Sequence, residues 1–175
     1  DTIIETFNAL LRIAQVESGA RRERFRRVDL VAVVDRVCDI YRDVAQDAGH
    51  RLETVTETKE AFVEGDADLL TQLLVNLVEN AINHIPAPGN ITVSISRVDK
   101  AVLLLVCDDG PGIPMEERER IFRRLYRLDR SRSTPGNGLG LALVAAIVDL
   151  HGALLSVHDN EPGMRVHVLF PDTVF

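Results

Sequence analysis

Three short stretches of the 175-residue chain carry side chains that neither an ordinary core nor an ordinary surface would select. In and just before LVENAINHIP, residues 77 to 86, Asn76, Asn80 and Asn83 recur four and three positions apart, so a helix there lines carboxamides along one face. Asparagine is a mediocre helix former that competes for backbone hydrogen bonds, so such a face is not plain core. In DDGPGIP, Asp108 to Pro114, a hydrophobic run ends in two acids, followed by glycines that open backbone paths closed to other residues. In GNGLGLALV, Gly136, Gly138 and Gly140 lead straight into an apolar helix whose first amides are unpaired and partly positive, a natural cradle for an anion. DDGPG taken alone is compatible with an ordinary turn. The glycine run fits neither the dinucleotide fingerprint nor a phosphate loop, which needs Gly-Lys-Ser/Thr.

The elements that must position these stretches follow from periodicity and caps. Ile3, Phe7, Leu10 and Ala14 predict an amphipathic helix ending at Ser18-Gly19, too short to stand without a partner surface. A basic strand over 25–28 precedes Asp29, which can cap a helix to about Ala48 with Leu30, Val33, Val34, Val37 and Tyr41 on one face. Short strands are expected over 50–56 and 61–64, then the asparagine helix from Ala67 to His84, stopped by Pro86. A hairpin over 90–98 and 101–108, a helix over 138–151 and two strands around Asn160–Gly163 complete the order. This pattern predicts an α/β two-layer sandwich: helices on one face of a mixed, mostly antiparallel sheet.

Composition bounds the class. At 46% hydrophobic and 27% charged, the chain can bury one core. A net charge of −7 argues against bulk affinity for nucleic acid, and the arginine runs at 21–27 and 123–132 are local exceptions. Cys38 and Cys107 sit in apolar runs and read as buried thiols of a reducing cytoplasm. No run is apolar enough to cross a membrane.

QLLVNLVENAINHIP, DDGPGIP, IFRRLYRLD and GNGLGLALVAAIVDLHG stand in the order and spacing of the N, G1, F and G2 boxes of sensor histidine kinases. Together with the closing DNEPGMRVHVLFP, residues 25–171 resemble the ATP-binding domain of that family, in the GHKL superfamily with its Bergerat sandwich fold. LLRIAQVESGA resembles the end of the second helix of the dimerisation and phosphotransfer domain, which implies a division into residues 1–20 and 21–175.

The resemblance implies roles by position. Asn80 matches the magnesium ligand, with Asn76 as helper. Asp108 matches the acceptor for the adenine amine, Gly110, Gly112 and Ile113 form the pocket around the base, and Gly136, Gly138, Leu139, Gly140 and Leu141 hold the phosphates. Arg127 matches the F-box arginine, beside Tyr126, and Arg130 or Arg132 in the lid over 127–137 reaches phosphate. Asn83 and His84 stand where the family often has lysine and then tyrosine or histidine, so a cation near the γ-phosphate is missing. Asn76 also stands where the superfamily's ATPases carry the glutamate that activates water. An amide cannot take that proton, so the implied nucleophile is an imidazole, which needs only orientation.

The implied function is transfer of the γ-phosphoryl of Mg-ATP to a histidine on an upstream helix, for relay to a response-regulator aspartate. The parent is expected to be a homodimer anchored in the bacterial inner membrane. No acceptor box is present, and His50, His84, His151, His158 and His167 all fall in the ATP-binding part as structural or surface residues. The alternative is a nucleotide-sensing module without phosphotransfer, for which Asn83 is the support.

Overall fold

The computed structural model describes residues 2–127 and 138–172. Its elements are α1 (Thr2–Glu17), β1 (Arg26–Asp29), α2 (Leu30–Asp47), β2 (His50–Thr56), β3 (Phe62–Gly65), α3 (Ala67–His84), β4 (Gly89–Val98), β5 (Ala101–Asp108), α4 (Gly140–Leu150), β6 (Leu154–Asp159) and β7 (Met164–Phe170). Single 3-10 turns lie at Ala20–Arg24, Met115–Glu117 and Arg120–Phe122.

Strands β2-β4-β5-β7-β6 form one sheet in that order, antiparallel except for the parallel β2–β4 pair. β1 and β3 pair separately as a small antiparallel ribbon. The strict alternation of β5 and β7 sends Val102, Leu104, Val106, Val166, Val168 and Phe170 into the core, while their neighbours stay half-buried on the open face. Helices α2, α3 and α4 supply the other layer with Leu30, Val34, Leu73, Leu77, Val144 and Ile147. The architecture is the expected α/β sandwich.

Capping sets where the helices begin. Asp29 Oδ1 accepts from Val31 N at 3.1 Å and from Ala61 N at 2.9 Å, so one carboxylate both starts α2 and ties it to the segment entering β3. Asp66 Oδ1 accepts from Asp68 N at 2.9 Å and Leu69 N at 3.2 Å at the start of α3. Its Oδ2 lies 2.8 Å from Arg21 Nε, close in distance but off the N–H axis.

Some expectations are corrected. On α1 the buried residues are Ile13 and Val16, with Leu10 partly buried beside them, and Ile3, Phe7 and Ala14 of the expected seam are exposed, because only the C-terminal half docks on α4. α4 begins at Gly140 instead of Gly138, since Gly138 has φ +69 and cannot be its first turn. Cys38 is buried but Cys107, on the open face, is half-buried.

Candidate functional site

The Asp108 turn and the glycine entry each touch the asparagine helix, the turn at its C-terminal end and the entry at Asn76. On α3, Asn76 Nδ2 donates to the carbonyl of Gly140 at 3.3 Å, joining the helix to the first residue of α4 across 64 positions of sequence. Asn76 Oδ1 accepts from Gln72 Nε2 at 3.0 Å, so that oxygen is engaged within the helix. The side chain of Asn80, one turn on and half-buried, has no hydrogen-bond partner among the described residues. His84 donates from Nδ1 to the Asn80 carbonyl at 2.9 Å, and both His84 and Asn83 are exposed.

Asp108 ends β5 and is buried at 5% exposure. Its Oδ1 accepts from Gly110 N at 2.9 Å and Met164 N at 3.3 Å. Burial pushes the carboxyl above the usual carboxylate range, while these two amides favour the ionised form. Asp109 instead bonds Asn90, with Oδ1 accepting from the backbone N at 2.7 Å and Oδ2 from Nδ2 at 2.6 Å, which holds its carboxyl low. Asp109 therefore anchors the turn to β4. Gly110 lies where an added Cβ would meet Ile85 Cγ2 at 2.5 Å, so the turn presses on the residue that caps α3. Ile113 packs against the core, and its carbonyl accepts from Arg118 Nε at 3.2 Å.

Leu125 and Arg127 lie against Gly138. Leu125 N donates to Gly138 O at 3.1 Å, and a Cβ on Gly138 would lie 3.1 Å from Arg127 Cγ. Arg127 thus stands beside the glycine entry, and Tyr126 packs on the core next to it. A Cβ on Gly140 would meet nothing within 4 Å, and Leu139, the N-cap of α4, supplies no side-chain cap. A helix start without a side-chain cap among the described residues suits an anion. The Leu139 side chain is 1% exposed and belongs to the core, and Leu141 packs partly against it. Arg130, Arg132 and Gly136 lie outside the described residues.

Among the described residues no group of three carboxylate, thiol or imidazole side chains could hold a metal. A magnesium ion here would depend on Asn80, phosphate oxygens and water, which fits its preference for few protein ligands. A recess of about 690 Å³ lies elsewhere, between α2 and the edge strand β2, lined by Arg42, Gln46 and residues 50–55, and none of the motif residues reaches it.

Several contributors were not visible as site residues in sequence. Asn160 Nδ2 donates to the Asp108 carbonyl at 2.8 Å, Arg118 Nη2 lies 3.5 Å from Asp159 Oδ2, and His151 Nε2 accepts from Asp66 N at 3.1 Å. The cap position of Asp66 carries a local signal, an acid just before an apolar helix. The others meet partners far along the chain and carry none.

A family model described as histidine kinase-, DNA gyrase B- and HSP90-like ATPase matches residues 65–174. The sensor protein IrlS of Burkholderia pseudomallei is 37% identical over 158 residues, covering 89% of this chain and 33% of its own. The chain thus spans about a third of the length of the curated relatives it matches. Among solved structures, full-length ShkA in complex with AMPPNP superposes with a TM-score of 0.85 at 25% identity, covering all of this chain and 37% of ShkA. Histidine kinase ThkA in complex with the response regulator protein TrrA gives 0.72 at 25% identity, covering 85% of this chain and 42% of that one. With residues 65–174, more than half of its length, matched by that model, this chain belongs to the family of histidine kinase-, DNA gyrase B- and HSP90-like ATPases.

Proposed function

We propose that this chain is the ATP-binding catalytic part of a sensor histidine kinase, which transfers the γ-phosphoryl of ATP to a histidine on an upstream helix. The observation that carries this reading is the joining of α3 to the glycine entry by Asn76, a residue that cannot act as a base, where a water-activating glutamate would stand.

In this reading Asp108 accepts from the exocyclic amine of adenine, Gly110 and Gly112 let the backbone close on the base, and Ile113 forms an apolar wall. The amides opening α4 face the phosphates, with Arg127 contributing positive charge beside them. Magnesium, held at Asn80, would neutralise charge on the phosphate oxygens. The chain's own contribution is positioning: it holds the phosphoryl group in line with an incoming imidazole while offering water no base. The nitrogen–phosphorus bond forms as the bond to the β-phosphate oxygen breaks, and ADP leaves. Asn83 removes a cation that relatives of this pattern often carry, so the arginines of the lid take a larger share of the charge.

Relay of the phosphoryl group to a response-regulator aspartate is supported by the ThkA–TrrA complex. The exposed seam of Ile3, Phe7 and Leu11 on α1 supports a homodimeric parent, since such a row needs a partner. No described helix is long and apolar enough to cross a membrane. We place this domain in the bacterial cytoplasm, below a parent anchored in the inner membrane.

Mixing the chain with a separately supplied acceptor-helix domain and γ-labelled ATP tests the reading. An acid-labile phosphohistidine on the acceptor is expected, with phosphate release by the chain alone near background. Intact magnesium-dependent ATP binding without any phosphohistidine would overturn it.

A further inference from the structure

Asp108 sits where strand pairing stops. The β5–β7 ladder ends at Cys107–Arg165, so on that side Asp108 is held by the β6–β7 turn and by Met164, the first residue of β7. Together they make a dense set of contacts with it. Asn160 Nδ2 donates to the Asp108 carbonyl at 2.8 Å, and Met164 N donates to Oδ1 at 3.3 Å. Gly163, at φ +110, lies so close that a Cβ would stand 1.8 Å from the Asp108 carbonyl oxygen. Asn160 N closes the turn on Gly163 O at 3.2 Å.

The orientation of the Asn160 amide is itself determined. Its Oδ1 accepts from Arg165 Nη2 at 2.9 Å and Nε at 3.3 Å. A guanidinium only donates and a carbonyl only accepts, so the amide satisfies both neighbours in one orientation, oxygen to Arg165 and nitrogen to Asp108. The end of β6 is also tied to the stretch after the Asp108 turn, because Arg118 Nε bonds the Ile113 carbonyl while its Nη2 lies 3.5 Å from Asp159 Oδ2. With Oδ1 of Asp108 taken up by two backbone amides, recognition falls to its other oxygen, whose direction follows from how the backbone of Asp108 is held.

We infer that Asn160 is a specificity-positioning residue: braced by Arg165, it fixes the backbone of Asp108 so that the free carboxylate oxygen meets the exocyclic amine of adenine. This rests on the reading of Asp108 as the adenine acceptor, and it goes beyond that reading by making base selectivity depend on a turn outside the four boxes.

The test compares binding of ATP with that of purine riboside triphosphate, which lacks the amine, to the 175-residue chain. Wild type is expected to prefer ATP. Asn160→Ala is expected to reduce that preference about three- to tenfold, the worth of one well-placed hydrogen bond, while affinity for purine riboside triphosphate changes less than about twofold. A folded Asn160→Ala chain with unchanged preference, or with both ligands weakened alike, overturns the inference. Should Asn160→Ala lose its cooperative thermal transition, Arg165→Met provides the reading: it leaves Asn160 in place without its brace, and an unchanged preference there overturns the inference too. If wild type itself shows no preference, the role of Asp108 falls first, a result separate from failure of Asn160.

Discussion

The chemistry concentrates in a few residues whose environments differ sharply. Asn76 and Asn80 are one helical turn apart, yet the first is latched to Gly140 and Gln72 while the second has no partner among the described residues. The neighbouring acids Asp108 and Asp109 also part company: burial raises one carboxyl, and the Asn90 amides lower the other. Substitutions at Asn80 and Asp108, the two residues proposed to recognise nucleotide, should therefore remove binding without unfolding. Asn80→Asp and Asp108→Asn are each expected to weaken Mg-ATP binding by about 10- to 100-fold. Their thermal midpoints should stay within about 4 °C of wild type. Titration calorimetry showing normal affinity in both variants would remove the site assignment.

At the scale of elements, a buried polar network joins the start of α3 to the end of α4. His151 donates from Nδ1 to the Ile147 carbonyl at 2.7 Å and accepts at Nε2 from Asp66 N at 3.1 Å. Phe25 stacks on the ring at 4.7 Å between centroids, and Arg21 pairs with Asp66 from the turn after α1. Only the neutral ring can accept at Nε2, and burial holds its pKa below the ordinary 6.5. The unfolded chain thus takes up the proton more readily than the folded one. The stability due to this group is complete above pH 6.5 and declines as pH falls from there towards the lowered folded value. His167, lowered by burial and by its neighbours His158 and Arg165, acts with the same sign. The urea midpoint should accordingly be lower at pH 5.5 than at pH 7.5, and His151→Gln should flatten that difference. An undiminished difference in the variant would place the effect elsewhere.

For the whole molecule, the decisive packing is that of α1 on α4. Ile13 is 0% exposed and Val16 3%, whereas Phe7 on the same helix is 60% exposed. Glu17 pairs with Arg124, the neighbour of Leu125, whose backbone N donates to Gly138 O, so the end of α1 touches the stretch that meets the glycine entry. Ile13→Ala should destabilise the fold by about 2–4 kcal/mol, by loss of buried contacts and the cavity left behind. Phe7→Ala should stay within about 0.5 kcal/mol in the isolated chain. Urea unfolding distinguishes the two, and equal costs would contradict the observed docking.

Most elements and the order of the boxes are readable along the chain because their signals are local. Alternation in β5 and β7, the acid before α2 and the glycine-led helix α4 are set by neighbours a few residues away. Asn76, Asn80 and Asp108 stood out for the same reason: polar or glycine-rich interruptions of apolar runs. The tertiary structure alone decided which half of α1 is buried, that Asn76 meets Gly140, that Asn160 clamps Asp108 and that His151 meets Asp66. Those contacts join residues 64, 52 and 85 positions apart. They depend on where the chain returns after crossing the sheet, which no local periodicity or cap encodes.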